Sequence, residues 1–388
     1  MRANTRFSAV HHPDLGYFDE GLDLTDPALY VSAVATDDRA TLLPPVAYRS
    51  KVFQDLEDEK IWTRSWVCIG TVDEIPNPGD LLPFTVGNHG IHVQRAEDGA
   101  LVGRFNKAQH GGCRFVPQQC QTGRKTRCSF TSCGHSRDRA AIGADELGDS
   151  TPAMGQYLGV DPTRLLPVHV TTWGPFVFVN LDVDPPPLAE RLGTCASLLT
   201  GRALAMGRTR WIEGAANWKL AGPALIDPFA GDVAPDAGGW VLHGRPGGAF
   251  ADAEKVIWLF PNLMIGIGGD AVTAAILQPT AFDSTLYRVL GSTPAAQQAL
   301  AAAVEWAAAT AQAVHDDCAA WGTPSHPTEA ATDAPSLDGP GGRLFQQFLV
   351  DRLLTASETY WNAPVYDASL SAGAGNRNER RWSTASNR

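Results

Sequence analysis

Four cysteines, Cys113, Cys120, Cys128 and Cys133, fall within 21 residues of one another, with His110 and His135 around them. Thiolates and imidazoles at close spacing are the ligands of zinc and of iron–sulfur centres. His110, Cys113, Cys128 and Cys133 are the set to weigh for zinc, although Cys128-x4-Cys133-Gly134-His135 is not a strong zinc spacing. A second group, Asp227, Asp232, Asp236 and His243, has the types needed to hold a cation or to pass protons as acid and base. Against that stands a plainer reading, because the Gly, Pro and Asp rich stretch from 227 to 239 has the composition of a solvated loop. His315-Asp316-Asp317 offers a His–carboxylate dyad, or a histidine placed as a favourable charge at the end of an Ala-rich helix.

The elements that must carry these residues can be read from pattern. Phe53, Leu56, Ile61 and Trp62 fall near helical spacing among charged residues, which predicts a helix. From Trp66 to about Val183, short apolar runs such as 67–69, 81–84, 91–93 and 176–179 alternate with Asn-Pro-Gly and Asp-Gly turns, as in a small antiparallel β domain. Asp184-Pro185-Pro186-Pro187 reads as a linker. Strands are predicted at 210–212, 256–260, 263–267, 272–277 and 285–290, followed by helices over 295–313 and 342–354. Strands followed by helices without βαβ alternation make the second unit α+β. The domain limits expected are an N-terminal arm at 1–47, a β domain at 48–183, a sheet-and-helix domain at 184–368 and a disordered tail at 369–388, rich in Ser, Gly, Asn and Arg.

Composition removes several classes of function. The 388 residues carry 42 acidic against 31 basic side chains, a net charge of -11, which gives no support to a nucleic-acid groove or an anionic-membrane patch. No apolar run approaches the roughly 18 residues of a membrane-spanning helix, and no charged-then-apolar leader opens at Met1, so a cytoplasmic protein is expected. Seven cysteines, an odd number in a long chain, argue against a disulfide framework.

The segment Phe105-Asn106-Lys107-Ala108-Gln109-His110-Gly111-Gly112-Cys113, followed by Cys128-Ser129-Phe130-Thr131, resembles the cluster-binding segment of Rieske-type non-haem iron oxygenase large (alpha) subunits. The family pattern is C-x-H-x17-C-x2-H, and seventeen residues separate His110 from Cys128. Trp66, Glu74-Ile75-Pro76, Gly79-Asp80, Leu166-Pro167-Val168, Trp173-Gly174-Pro175-Phe176 and Phe178-Val179-Asn180-Leu181-Asp182 are similar to other strands of that domain. Asn217-Trp218-Lys219-Leu220 and Phe260-Pro261-Asn262-Leu263 resemble segments of the catalytic domain. The resemblance runs from about residue 48 to 355 and implies a Rieske-like antiparallel β domain followed by a helix-grip domain, an antiparallel sheet with helices.

Carried over position by position, the resemblance implies altered ligands. Of the cluster positions Ala108, His110, Cys128 and Thr131, only His110 and Cys128 match the family. At the mononuclear iron, Ala230 and Pro235 stand where two histidines belong, Asp317 is the best match for the distant carboxylate, and Asp227 keeps the acid that links neighbouring subunits. Pro223-Ala224 replaces the Glu-Asn common after the Asn-Trp-Lys-Leu motif. A Rieske centre needs two Cys and two His, and a facial iron site needs two His and a carboxylate.

The expectation is therefore a non-catalytic Rieske-oxygenase-like subunit that assembles with an active large subunit and supports or regulates it. No cofactor is expected, the two-iron cluster and mononuclear iron least of all, with zinc the alternative. The resemblance implies trimeric rings in which the cluster of one subunit serves its neighbour's iron, so stacked rings, α3β3, fit better than alternation within one ring. Two other readings stay open: a non-oxidative enzyme reusing the emptied pocket with Asp227, Asp317 or His243, and a zinc-stabilised or ligand-binding scaffold.

Overall fold

The run Lys255-Val256-Ile257-Trp258-Leu259 shows the logic of the second sheet. Four consecutive buried apolar residues cannot be amphipathic, so both faces of the strand must be covered. Val256 and Trp258 join one core, while Ile257 and Leu259 join another. The computed structural model describes residues 22–36, 40–87, 89–105, 141, 143–144, 167–202, 204–226, 233–236, 241–244, 253–281, 283–320 and 339–355.

The first sheet has six antiparallel strands: β1 Val67–Thr71, β2 Leu81–Val86, β3 His89–Arg95, β4 Leu101–Phe105, β5 Pro167–Trp173 and β6 Phe176–Asn180, in the order β1-β6-β5-β4-β3-β2. The second has seven: β7 Arg210–Gly214, β8 Ala234–Pro235, β9 Val241–Gly244, β10 Lys255–Leu259, β11 Leu263–Gly268, β12 Ala271–Ala281 and β13 Ser284–Gly291, in the order β7-β13-β12-β11-β10-β9-β8. Helix α1, Lys51–Glu57, runs on into a π turn at Asp58–Trp62; α2 is Leu188–Leu192, α3 Trp218–Ile226, α4 Pro294–Ala320 and α5 Pro340–Leu354.

Helices α3, α4 and α5 cover one face of the second sheet, on the side of Leu242, Trp258, Met264 and Tyr287. The other face, with Val241, Ile257, Ile265 and Ile276, packs against Cys68 of β1, Phe176 and Phe178 of β6, and Leu188 and Leu192 of α2. The fold is mixed helix and antiparallel sheet, as expected.

Two buried polar side chains join the sheets. Asn262, at 1% exposure, donates from Nδ2 to the carbonyls of Cys68 (2.8 Å) and Leu277 (3.1 Å), and accepts from the Cys68 amide at 3.0 Å. Arg288 of β13 donates to the Ile69 carbonyl and to Gln278 Oε1, both at 2.8 Å, with its guanidinium between the rings of Phe84 and Trp211. Both side chains take up main-chain carbonyls of β1 at a junction otherwise made largely of apolar side chains.

Three elements differ in extent from the pattern reading. β12 continues to Ala281, because Gln278 and Thr280 are buried polar residues that find partners in Arg288 and Ser284. Helix α4 extends to Ala320, so His315 lies inside it and cannot serve as a terminal charge. Burial also pulls the His315 pKa down, which opposes that role further. Residues of the N-terminal segment are packed on α5: Gln346 donates to the carbonyls of Ala33 and Thr41 and accepts from the Leu43 amide.

Candidate functional site

Asn217-Trp218-Lys219-Leu220 sits where α3 begins. The Asn217 side chain accepts from the Lys219 amide at 3.1 Å, satisfying one of the free donors of the first turn. Trp218 is held edge-on by Trp62 and Phe345, with ring centroids 4.9 and 5.7 Å away. All nine residues of α3 are buried. Pro223 lies inside the helix, where it removes the amide that would bond to the Lys219 carbonyl.

Lys219 meets Glu57 of α1 at 2.5 Å, with side-chain exposures of 2% and 4%. Trp218 Nε1 donates to the second Glu57 oxygen at 3.3 Å. The ammonium also lies over the rings of Phe53, Tyr48 and Trp218. Burial pushes the Glu57 pKa up and the Lys219 pKa down, and the mutual attraction of the pair opposes both shifts. Beside them is a cavity of about 20 Å³ lined by Gln54, Asp58, Asn217 and Pro279 among others, room for about one water. This pair clamps the start of α3 to α1. Sequence reading missed it, because the partners are far apart in the chain; a lysine next to Trp218 in an apolar helix was the available signal.

The predicted site residues are distributed as follows. Ala108, His110, Cys113, Cys120, Cys128, Thr131, Cys133 and His135 lie outside the described residues, as do Asp227, Ala230 and Asp232. Pro235 is exposed in β8, opposite Leu242 of β9. Asp317 belongs to α4, on the helical side of the second sheet. His243 pairs with Ile257 and shares its face, the one turned away from α3 and α4. Its ring lies against the buried Cys195, the sulfur 3.6 Å from both ring nitrogens. Burial, and then Lys255, depress the His243 pKa, while burial raises that of the Cys195 thiol.

The overall fold is shared with solved Rieske oxygenases. No family model matches the chain. The biphenyl 2,3-dioxygenase subunit alpha of Rhodococcus jostii (strain RHA1) is 24% identical over 297 residues, 69% of this chain and 63% of that protein. The glycine betaine monooxygenase oxygenase subunit of Chromohalobacter salexigens is 28% identical over 181 residues, 46% of this chain and 39% of that one. The matches thus span between about two fifths and two thirds of the curated relatives' lengths. The solved apo form of a quaternary ammonium Rieske monooxygenase, CntA, has a TM-score of 0.54 at 17% identity, covering 80% of this chain and 94% of that one. The chain is a homologue of Rieske-type non-haem iron oxygenase alpha subunits.

That finding corrects the expectation of no cofactor with zinc as the alternative. The homologues are Rieske oxygenases, proteins that use a two-iron, two-sulfur cluster and a mononuclear iron, so the cofactors to consider are those two groups. Ala230 and Pro235, the residues that the resemblance aligns with the two iron-binding histidines, carry no metal-donor side chain. Among the described residues no three His, Cys, Asp or Glu side chains are grouped to hold a metal. No helix among them is long and apolar enough to cross a membrane.

Proposed function

We propose that this chain is an alpha-type Rieske oxygenase subunit that does not oxygenate a substrate itself and assembles with an active oxygenase subunit, which it supports or regulates. The observation that carries this reading is Pro235: at a position where the resemblance requires an iron-binding histidine, an exposed proline sits in a two-residue strand. Ala108, Thr131 and Ala230 point the same way at the other ligand positions. The surrounding frame is complete by contrast, with the Asn217 cap, the Lys219–Glu57 pair and the Asn262 and Arg288 junctions all formed. Packing residues are kept where chemistry-bearing ones are replaced, the pattern of a subunit retained for its surface. In this reading residues 48–183 are the cluster-type domain and 184–368 the catalytic-type domain.

Rings of this chain stacked on rings of the active subunit, α3β3, leave the active ring's own cluster-to-iron route undisturbed. The test is purification of the tagged chain after coexpression with an alpha subunit that carries the full C-x-H-x17-C-x2-H pattern. Stoichiometric copurification is expected, with oxygen uptake on substrate and reductant by the complex and none by this chain alone. Substrate-dependent oxygen uptake by the chain expressed alone, or its recovery without the partner from the coexpressing cells, would overturn the proposal.

A further inference from the structure

Helix α4 carries an apolar face that nothing among the described residues covers. Its inner side, Leu300, Ala301, Val304, Ala307, Ala308 and Ala311, packs into the core. On the opposite side Ala295, Ala299, Ala302, Trp306, Ala309 and Ala313 are all exposed, Trp306 at 58%. Their spacing, alternately four and three residues, is that of a helix–helix seam. A helix that packs on one side only normally turns charged residues outward. Here the outward centre is alanine around one indole, and the polar residues lie along one flank, at Gln298, Glu305 and Gln312.

A second feature adjoins this seam. At its N-terminal end, on the flank of α4 next to the sheet, is a cavity of about 330 Å³ walled by Ala295, Ala296, Ala299 and the buried Leu300 of α4 and by Gly266 and Gly268 of the sheet, among others. Small residues on both walls make a hole, and Trp306, seven residues along the same seam, is a knob about 10 Å away. A knob and a hole displaced along one face are self-complementary under a two-fold axis midway between them. That axis falls between Ala302 and Ala303.

We propose that α4 is a self-association surface on which a second copy of this chain docks with its own α4 antiparallel, each Trp306 seated in the other's cavity. The 27-residue helix is about 40 Å long. Two buried indoles, with the alanine rows between them, remove on the order of 1,000 Å² from solvent, about the least that a specific interface requires. Charge does not oppose the pairing: no ionised residue lies in the seam, and Glu305 on its flank is engaged by Arg210 of its own chain at 2.5 Å. This inference does not depend on the proposed function.

The test uses the full chain. Sedimentation velocity should show that Trp306→Glu halves the assembled mass, with self-association weakened roughly 30-fold or more, and with the circular dichroism of the wild type retained. In the second arm, Ala302→Cys is treated with a short bis-maleimide and should give a covalent dimer above the wild-type background. Ala313→Cys should not, since antiparallel docking sets its two copies about 30 Å apart. An assembled mass unchanged by Trp306→Glu, no cross-link at position 302, or equal cross-linking at both positions would each overturn the proposal.

Discussion

Lys219 and Glu57 show how a single side chain can matter for the whole site without touching a reacting atom. Each ion has lost its water and relies on the other, so removing one strands a buried charge. Lys219→Met is expected to cost about 3–5 kcal/mol in urea unfolding, while the double variant Glu57→Met with Lys219→Met recovers most of it. Equal losses in the single and double variants would show that packing, not charge, sets the cost. His92 is a second case. Buried in β3 and also repelled by Arg104, its pKa falls to about 3, against about 6.5 in an unfolded chain. Between those values the unfolded chain binds the proton and the folded one does not. Its contribution is therefore fully present above about pH 6.5 and is lost as pH falls toward 3, by as much as about 4–5 kcal/mol. Stability measured from pH 7 to 4 should decline less steeply in His92→Phe, and an identical slope would exclude this residue as the source.

Helix α3 owes its position to what it lacks. A Cβ added at Gly222 would come within 2.6 Å of the Phe345 ring of α5, so glycine lets the two helices approach. Gly222→Val should overpack this contact and cost about 1–3 kcal/mol, seen as a lower urea midpoint with unchanged slope. Phe345→Ala in the same background should return part of the loss if the clash is its cause. The α3 sequence identifies a helix start through Asn217, but an apolar nine-residue segment containing Pro223 has no amphipathic period from which its two neighbours could be inferred. Helix α4 reads differently. Its many alanines conceal which side faces inward, and only the sheet beneath it separates Leu300 and Val304 from Trp306.

The two sheets are joined through few polar side chains, and this concentrates the consequences of changing them. Asn262→Ala would leave the amide and carbonyl of Cys68 without their partner in a buried junction. A loss of at least about 2–3 kcal/mol is expected, with faster proteolysis between the sheets, in the stretch 183–209. Loss of stability with no change in that cleavage would argue against a junction role. Arg288 acts at the same boundary, with Ile69 and Phe84 of the first sheet and Trp211 and Gln278 of the second among its contacts.

The sequence by itself determined the two-sheet order, most strand positions and the family likeness, because alternation, turn residues and short motifs are local signals. The resemblance also aligns Ala108, Thr131, Ala230 and Pro235 with the family's ligand positions, an alignment on which the proposed function rests. What it did not determine is which distant side chains meet. Glu57 and Lys219 join across 162 residues, and His243 lies on the sheet face opposite α4 because its register with Ile257 puts it there. One residue of register exchanges the two faces of a strand, and this register sets the His243 ring against Cys195.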